Sequence, residues 1–89
     1  MKISKNKKER ILEQILAYLY STNPKPSFTS KIAEEIVRDE EFVKKLLLEL
    51  KKKGLVVEIK KNPQGIDYIR RSRWKLSSKA YLAYKGKQN

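Results

Sequence analysis

Residues 28–56 read FTSKIAEEIVRDEEFVKKLLLELKKKGLV, and this stretch decides the fold. Its apolar residues recur three or four positions apart, as the buried face of a helix requires: Ile32, Ala33, Ile36, Val43, Leu46, Leu47 and Leu50. The pattern predicts two helices, at about 30–37 and 40–53, joined by a tight polar turn. Thr29 and Asp39 stand where N-caps are expected, and Gly54 is expected to end the second helix in the left-handed conformation.

The remaining elements are predicted from signals of the same kind. In chain order they are a helix at about 6–20, a break at 21–27, a strand at 55–61, a turn at 62–65, a returning strand at 66–76 and a helix at 78–85. The break holds two prolines, and the turn has Pro63 in its second position and Gly65 in its fourth. Ser77 is expected to cap the last helix.

Composition excludes several classes of protein. The chain has 89 residues, enough for one small domain, and it contains neither cysteine nor histidine. Disulfides, Cys- or His-based metal sites and catalysis by imidazole are therefore ruled out, and neither an enzyme nor a cofactor is predicted. No apolar run approaches the roughly 20 residues of a membrane span, and no signal-peptide pattern occurs. We therefore expect an intracellular protein.

The charge is strongly positive and unevenly distributed. The net charge is +12, of which residues 1–27 carry +4, residues 28–50 carry −2 and residues 51–89 carry +10. Such an excess favours a polyanionic partner, nucleic acid before an acidic protein or an anionic membrane. A thermophile with a Lys- and Glu-rich surface would explain many of the charges, but not 22 basic residues against 10 acidic ones.

Four short motifs follow one another along the chain. They are IAEEI at 32–36, the apolar face of 43–50, KGLV at 53–56 and WKLSSKA at 74–80. Together they resemble the winged-helix-turn-helix family of archaeal and bacterial transcriptional regulators, including those of archaeal viruses, over about residues 8–86. The resemblance implies an α+β fold, with a three-helix core, a two-stranded β-wing and a C-terminal helix in a single domain over 1–89, ordered at about 6–86. It also implies a homodimer that binds double-stranded DNA in the nucleoid without a cofactor.

Two positions depart from the pattern of that family. Val37 and Arg38 stand where the family has a glycine followed by an apolar residue. Glu40 and Glu41 open the recognition helix, where the family has small polar residues. Phosphates would repel these carboxylates, although glutamate can accept a hydrogen bond from the amino group of cytosine. The helix therefore reads an unusual sequence, sits higher in the groove, or faces something other than DNA.

The wing is predicted to supply the main contact with DNA. Arginine grips phosphates at two points and enters narrow minor grooves, and three of the five arginines lie in this segment. The predicted wing contacts are Lys60, Lys61, Asn62, Gln64, Arg70, Arg71 and Arg73. At the start of the second helix, free backbone N–H groups favour a phosphate, so Thr29, Ser30 and Lys31 are predicted to meet one. Capping alone would also explain Thr29.

The third helix is expected to supply the sequence preference. Its predicted DNA contacts are Glu40, Glu41, Lys44 and Lys45. The alternative is an ordinary solvated face on which the two lysines pair with Glu40, Glu41 and Glu49. Leu48 has no obvious place in the core and is either a chance surface residue or part of a contact surface.

Aromatic residues on the first and last helices suggest the mode of assembly. Tyr18, Tyr20, Tyr81 and Tyr84 are predicted to form a homodimer interface, the alternative being packing onto the chain's own core. Trp74 is expected in the core beneath the wing. The acidic third helix and Leu48 leave a second function open, a winged-helix subunit that binds protein in a transcription, replication or secretion assembly. RNA or single-strand binding through the wing is a third.

Overall fold

A computed structural model describes residues 5–60 and 71–87 of the chain. Its elements are α1 (Lys5–Thr22), β1 (Ser27–Phe28), α2 (Thr29–Ile36), α3 (Glu40–Lys52), β2 (Val56–Ile59), β3 (Arg73–Leu76) and α4 (Ser78–Lys87). The predicted α+β fold is confirmed, with three helices, a sheet that leads into the wing, and a closing helix. The predicted turn at 62–65 lies outside the described residues. The returning strand, predicted at 66–76, is described from residue 71 and begins only at Arg73.

The sheet has one strand more than the predicted two-stranded wing. Its order is β1-β3-β2, and both neighbouring pairs are antiparallel. Trp74 of β3 stands opposite Ser27 on one side and Glu58 on the other. Because β1 has only two residues, no alternation of apolar and polar residues could reveal it in the sequence. The extra strand ties the base of the wing to the segment that opens α2.

Three of the predicted helix ends are confirmed by their hydrogen bonds and backbone angles. The Asp39 side chain accepts a hydrogen bond from the Phe42 amide at 3.2 Å, and the Ser77 hydroxyl oxygen accepts one from the Ala80 amide at 3.1 Å. Gly54 has φ +77°, the left-handed conformation that a glycine adopts without steric cost. Local side-chain chemistry therefore fixes both ends of α3 and the start of α4.

The predicted capping role of Thr29 is wrong. Helix α2 begins at Thr29 itself, and the residue before it, Phe28, offers no capping side chain. Thr29 is buried, and its hydroxyl oxygen accepts a hydrogen bond from the indole Nε1 of Trp74 at 2.8 Å. A buried indole N–H needs an acceptor, and here that need outweighs the capping preference of threonine.

The turn between α2 and α3 carries local strain. Val37 ends α2 with φ 56° and ψ 57°, and its amide donates to the carbonyl oxygens of Ala33 and Glu34. The left-handed conformation costs an ordinary residue roughly 1–2 kcal/mol, and a β-branched one more, which is why glycine is usual there. The Val37 side chain is 84% exposed, and nothing in the structure explains its presence at this position.

The core lies between the three helices and the inner face of the sheet. Trp74 is 0% exposed, so its predicted place beneath the wing is confirmed. The other buried apolar residues are Ile11, Ile15, Leu19, Ile32, Ala33, Val43, Leu46, Leu47, Leu50, Val56, Leu76 and Ala80. Ile36, expected in the core, is only half-buried. Across the described ranges, none of the helices has both the length and the apolar character needed to cross a bilayer.

Replacing Thr29 with valine preserves the shape of the side chain but leaves the Trp74 N–H without its acceptor. An unpaired buried donor costs roughly 1–3 kcal/mol, so we expect Thr29→Val to lower the free energy of unfolding by about that amount. Urea titration followed by Trp74 fluorescence measures the change.

Thr22→Val is the matched control for this measurement. Within the described residues, the Thr22 hydroxyl donates a hydrogen bond to the carbonyl oxygen of Leu19 in the same helix α1, at 3.3 Å. We expect that substitution to cost less than about 0.5 kcal/mol. Equal losses for the two variants would contradict a special role for the Thr29–Trp74 hydrogen bond.

Candidate nucleic-acid interface

Three segments that are distant in the sequence line one open cavity of about 110 Å³. Phe28 and the first two residues of α2, Thr29 and Ser30, form one part of the lining. Helix α3 contributes Glu40 and Lys44, and the base of the wing contributes Arg71 and Ser72. We call the exposed residues Ser30, Glu40, Lys44 and Arg71 the cavity face. The fold thus brings together one residue or more from each of the three predicted DNA-contacting groups.

The start of α2 presents its backbone to this cavity. Phe28 at the N-cap position provides no side-chain cap, so within the described residues the first N–H groups of α2 lack the usual capping acceptor. Ser30 is exposed and lines the cavity, whereas the Thr29 side chain is buried and bonded to Trp74. Lys31 is exposed but lies outside the cavity lining, and it forms an ion pair with Glu35 at 3.1 Å. The hydrogen bond to Glu35 raises the pKa of Lys31.

The charged side chains on the outward face of α3 form no ion pairs in the part of the chain that the structure describes. Neither Lys44 nor Lys45 forms an ion pair with Glu40, Glu41 or Glu49 there, so the alternative of a paired, solvated face is not what the described residues show. Glu40 and Lys44 line the cavity, whereas Glu41 and Lys45 are exposed beyond it.

Glu49 instead neutralises lysines away from the cavity. Its carboxylate lies 2.9 Å from the Lys8 ammonium and 3.8 Å from that of Lys53. The hydrogen bond from Lys8 lowers the pKa of Glu49. This ion pair connects α1 with α3 and leaves the charges of the cavity face unchanged.

Arg71 is oriented by an aromatic ring. Its guanidinium carbon lies over the Phe28 ring, 5.4 Å from the centroid, a cation–π contact. Sequence reasoning missed this role of Phe28, and the only signal was a lone apolar residue before the helix. A planar guanidinium held in this way is suited to two-point contact with phosphate.

The predicted wing residues do not form a single cluster in the described structure. Arg73 lines a different cavity, beside Tyr18 and Lys31, whereas Arg71 lines the first one. Lys60 is exposed just beyond the end of β2. Four further predicted contacts lie outside the described residues: Lys61, Asn62, Gln64 and Arg70.

Glu58 holds the base of the wing and was also missed as a site residue. Its side chain is 7% exposed, and its carboxylate accepts hydrogen bonds from Lys51 at 2.9 Å and from the Ser72 hydroxyl. Burial by itself raises the pKa of this carboxyl, but the hydrogen bonds from Ser72 and Lys51 and the charges of Lys51 and Lys60 together outweigh it, so that the pKa is lowered. Because Ser72 follows Arg71, the same contacts fix the chain on which Arg71 stands.

The four tyrosines that were predicted to form the dimer interface do not lie together. The Tyr20 ring stacks on Tyr81 at 5.4 Å between centroids and packs against Tyr84 at 4.6 Å. Tyr18 lines the cavity beside Arg73, on another side of α1. Three of the residues predicted to contact a second copy thus also contact one another within the chain, as the alternative of internal packing expected.

Comparison with known proteins shows the fold. No protein-family model and no curated protein matches the chain. A ZitR variant of Lactococcus lactis is 24% identical with a TM-score of 0.69, and the match covers 99% of this chain and 52% of that one. A candidate DNA-binding protein of Ralstonia eutropha is 14% identical with a TM-score of 0.70 over 90% and 96% of the two chains. MepR of S. aureus in complex with DNA is 25% identical with a TM-score of 0.69, and the match covers 94% of this chain and 72% of that one.

These likenesses establish the winged-helix fold for the described elements. The chain spans about half the length of ZitR. What a full-length neighbour binds is therefore evidence for a proposal about this chain and not a finding about it.

The lowered pKa of Glu58 predicts how its contribution to stability depends on pH. The native carboxyl binds a proton less readily than the unfolded one, whose pKa is 4.5. The stabilisation that ionised Glu58 gives to the folded chain is therefore complete above the unfolded pKa, and it is lost as the pH falls through the lower native pKa. We expect Glu58→Gln to lower the free energy of unfolding by about 1 kcal/mol at pH 7, and by progressively less below pH 4.5.

Thermal unfolding of both proteins from pH 7 to pH 3 measures this difference. Glu13→Gln, at an exposed position of α1, is the matched control and should leave the stability close to that of the wild type throughout. A difference between wild type and Glu58→Gln that stays constant, or grows, toward low pH would show that the charge of Glu58 is not what stabilises the wing.

Proposed function

We propose that this chain binds double-stranded DNA and regulates transcription, with the cavity face turned toward the duplex. The observation that carries the proposal is the convergence, around one cavity, of an uncapped helix start, Lys44 and Arg71. Each of these groups favours an anion, and Glu40 is the only acidic residue among the described residues of the lining. The likeness to MepR, whose structure contains DNA, supports the same assignment.

Each group has a distinct role in this proposal. Arg71, held over Phe28, grips a phosphate, and the first amides of α2 bind another beside Ser30. Helix α3 lies in the major groove with Lys44 and Lys45 toward the duplex. The wing extends the contact along the backbone through Lys60 and through Lys61, Asn62, Gln64, Arg70 and Arg73.

The charge distribution divides affinity from selectivity. Residues 28–50 carry a net −2, so helices α2 and α3 together add little to the general attraction for phosphates. Residues 51–89 carry +10 and would supply most of it. We therefore assign most of the binding energy to the wing and the base preference to α3. The DNA that the chain binds would belong to an archaeal, bacterial or viral genome.

We further propose that the chain acts as a homodimer through α1 and α4. The packed rings of Tyr20, Tyr81 and Tyr84 form an aromatic surface, and Leu82 beside them is 65% exposed. Two copies joined there would present two DNA-reading helices to successive turns of the duplex.

The salt dependence of DNA binding tests the first proposal. For about six phosphate contacts per dimer, the logarithm of the affinity should fall with the logarithm of salt concentration at a slope near −5. Arg71→Ala should weaken binding to random duplex DNA and make the slope shallower by about 0.9 for each phosphate that the variant leaves without its cation. Fluorescence anisotropy with a labelled duplex measures both quantities.

Lys85→Ala removes one positive charge from an exposed position of α4 outside the cavity lining. This control variant should leave the salt dependence of DNA binding unchanged. An affinity that does not depend on salt, or equal effects of the two substitutions, would overturn the proposal and favour a protein-binding role, to which the 44% exposed Leu48 would contribute.

The homodimer is tested by light scattering coupled to size-exclusion chromatography. The wild type should elute with twice the 10.5 kDa mass of one chain. Leu82→Lys, an exposed substitution at the proposed interface, should shift the protein toward the monomer because it would bury an unpaired charge. Leu48→Lys changes an exposed leucine on α3 and should leave the dimer intact. A monomeric wild type would rule out the dimer.

A further inference from the structure

We propose that Glu40 and Lys44 form a base-reading pair that selects cytosine and guanine in the major groove. Glu40 accepts a hydrogen bond from the cytosine 4-amino group, and Lys44 donates to guanine O6 or N7. This inference rests on the proposed DNA binding and deepens it, because it names the bases that the site prefers.

The first argument is that the Glu40 side chain has no partner in the described residues, although the helix dipole favours an acid in the first turn of α3. Asp39, and not Glu40, caps α3. Within residues 5–60 and 71–87, Glu40 takes part in no ion pair or side-chain hydrogen bond, although Lys44 stands one turn away on the same face. Both side chains are exposed and both line the cavity with Arg71. The pair is therefore available to a ligand without first breaking internal contacts.

The second argument concerns which parts of a duplex a carboxylate can meet. Phosphates repel Glu40, so a favourable contact requires a hydrogen-bond donor on a base edge. In the major groove only cytosine and adenine offer amino groups, and adenine places its N7 acceptor beside that group. An acceptor-only carboxylate is repelled by N7, whereas cytosine presents its donor alone. The carboxylate of Glu40 therefore favours cytosine over adenine.

The third argument is the spacing of the two residues. Four residues of α-helix rise about 6 Å, close to two base steps of about 3.4 Å. The Lys44 ammonium can only donate hydrogen bonds, so it then faces the O6 and N7 acceptors of a guanine. That guanine lies in the same base pair as the cytosine or within two base steps of it. The opposite charges of Glu40 and Lys44 match the opposite hydrogen-bonding character of the two bases.

The experiment is selection of duplexes from a randomised library with the full chain and its variants. The wild type should enrich cytosine at one position and guanine within two steps of it. Glu40→Gln should shift the preference from cytosine to adenine by about tenfold, because a glutamine amide can both accept from N6 and donate to N7. Lys44→Ala should lose the preference for guanine and keep that for cytosine.

Matched controls separate base reading from general electrostatics. Glu41→Gln makes the same change of charge at the next residue, which is exposed but does not line the cavity. It should strengthen binding to random duplex about as much as Glu40→Gln does, while the cytosine preference stays unchanged. Lys45→Ala should weaken general binding and keep the guanine preference.

Substitution of the cytosine base is an independent test. Replacing the selected cytosine by 2-pyrimidinone, which lacks the 4-amino group, should weaken wild-type binding about tenfold. The Glu40→Ala variant should bind the two duplexes equally, since it has no acceptor at this position. Circular dichroism spectra matching the wild type would show that the variants are folded.

The outcomes distinguish this inference from the proposed function. If wild type and Glu40→Gln bind random duplex with the expected salt dependence but enrich the same bases, the base-reading pair is refuted and DNA binding stands. If the wild type enriches no cytosine, the inference fails in the same way. If the wild type does not bind duplex DNA at all, the proposed function fails and this inference fails with it.

Discussion

The hydrogen bond between the Trp74 indole and the Thr29 hydroxyl is the contact on which the rest of the structure depends. It joins β3 to the first residue of α2 across 45 positions of sequence, inside the core. A polar pair in a largely apolar surrounding favours this alignment of sheet and helix, because an alignment without it leaves a buried donor unpaired. The pairing of β1 with β3 follows the same alignment, with Ser27 opposite Trp74.

That alignment also creates the candidate site. Because the Thr29 side chain turns into the core, Ser30 is the first residue of α2 whose side chain is exposed at the cavity. Because Arg73 pairs with Phe28, the chain just before β3 passes close to the Phe28 ring, and Arg71 lies over it. The contact that stabilises the core thus places a guanidinium beside an uncapped helix start, and neither group could reach that position independently.

The number of basic residues in the chain, 22, overstates the positive charge that is available to a ligand. Glu49 and Glu58 neutralise lysines at the far end of α3 and at the base of the wing, away from the cavity face. Lys44 and Arg71 form no ion pair within the described residues, and Glu40 lines the same cavity, where its carboxylate limits the general attraction for phosphate. In the proposed DNA complex, this combination would exchange affinity for discrimination, with α3 distinguishing bases while the wing holds the DNA backbone.

The sequence by itself determined the helices, the caps at Asp39 and Ser77, the left-handed Gly54 and the burial of Trp74. The helices, the caps and the left-handed glycine depend on residues within a few positions of one another, and helical periodicity, capping chemistry and turn preference act at that range. The burial of Trp74 was expected from its large apolar ring, although its hydrogen-bond partner Thr29 lies 45 residues away. Only the tertiary structure decided that Thr29 bonds to Trp74 rather than capping α2, that β1 joins the sheet, and that Arg71 and Arg73 serve different cavities. It also separated Tyr18 from Tyr20, Tyr81 and Tyr84. Each of these outcomes is set by the register of short strands and by which faces meet across more than forty residues, and local sequence carries no signal for either.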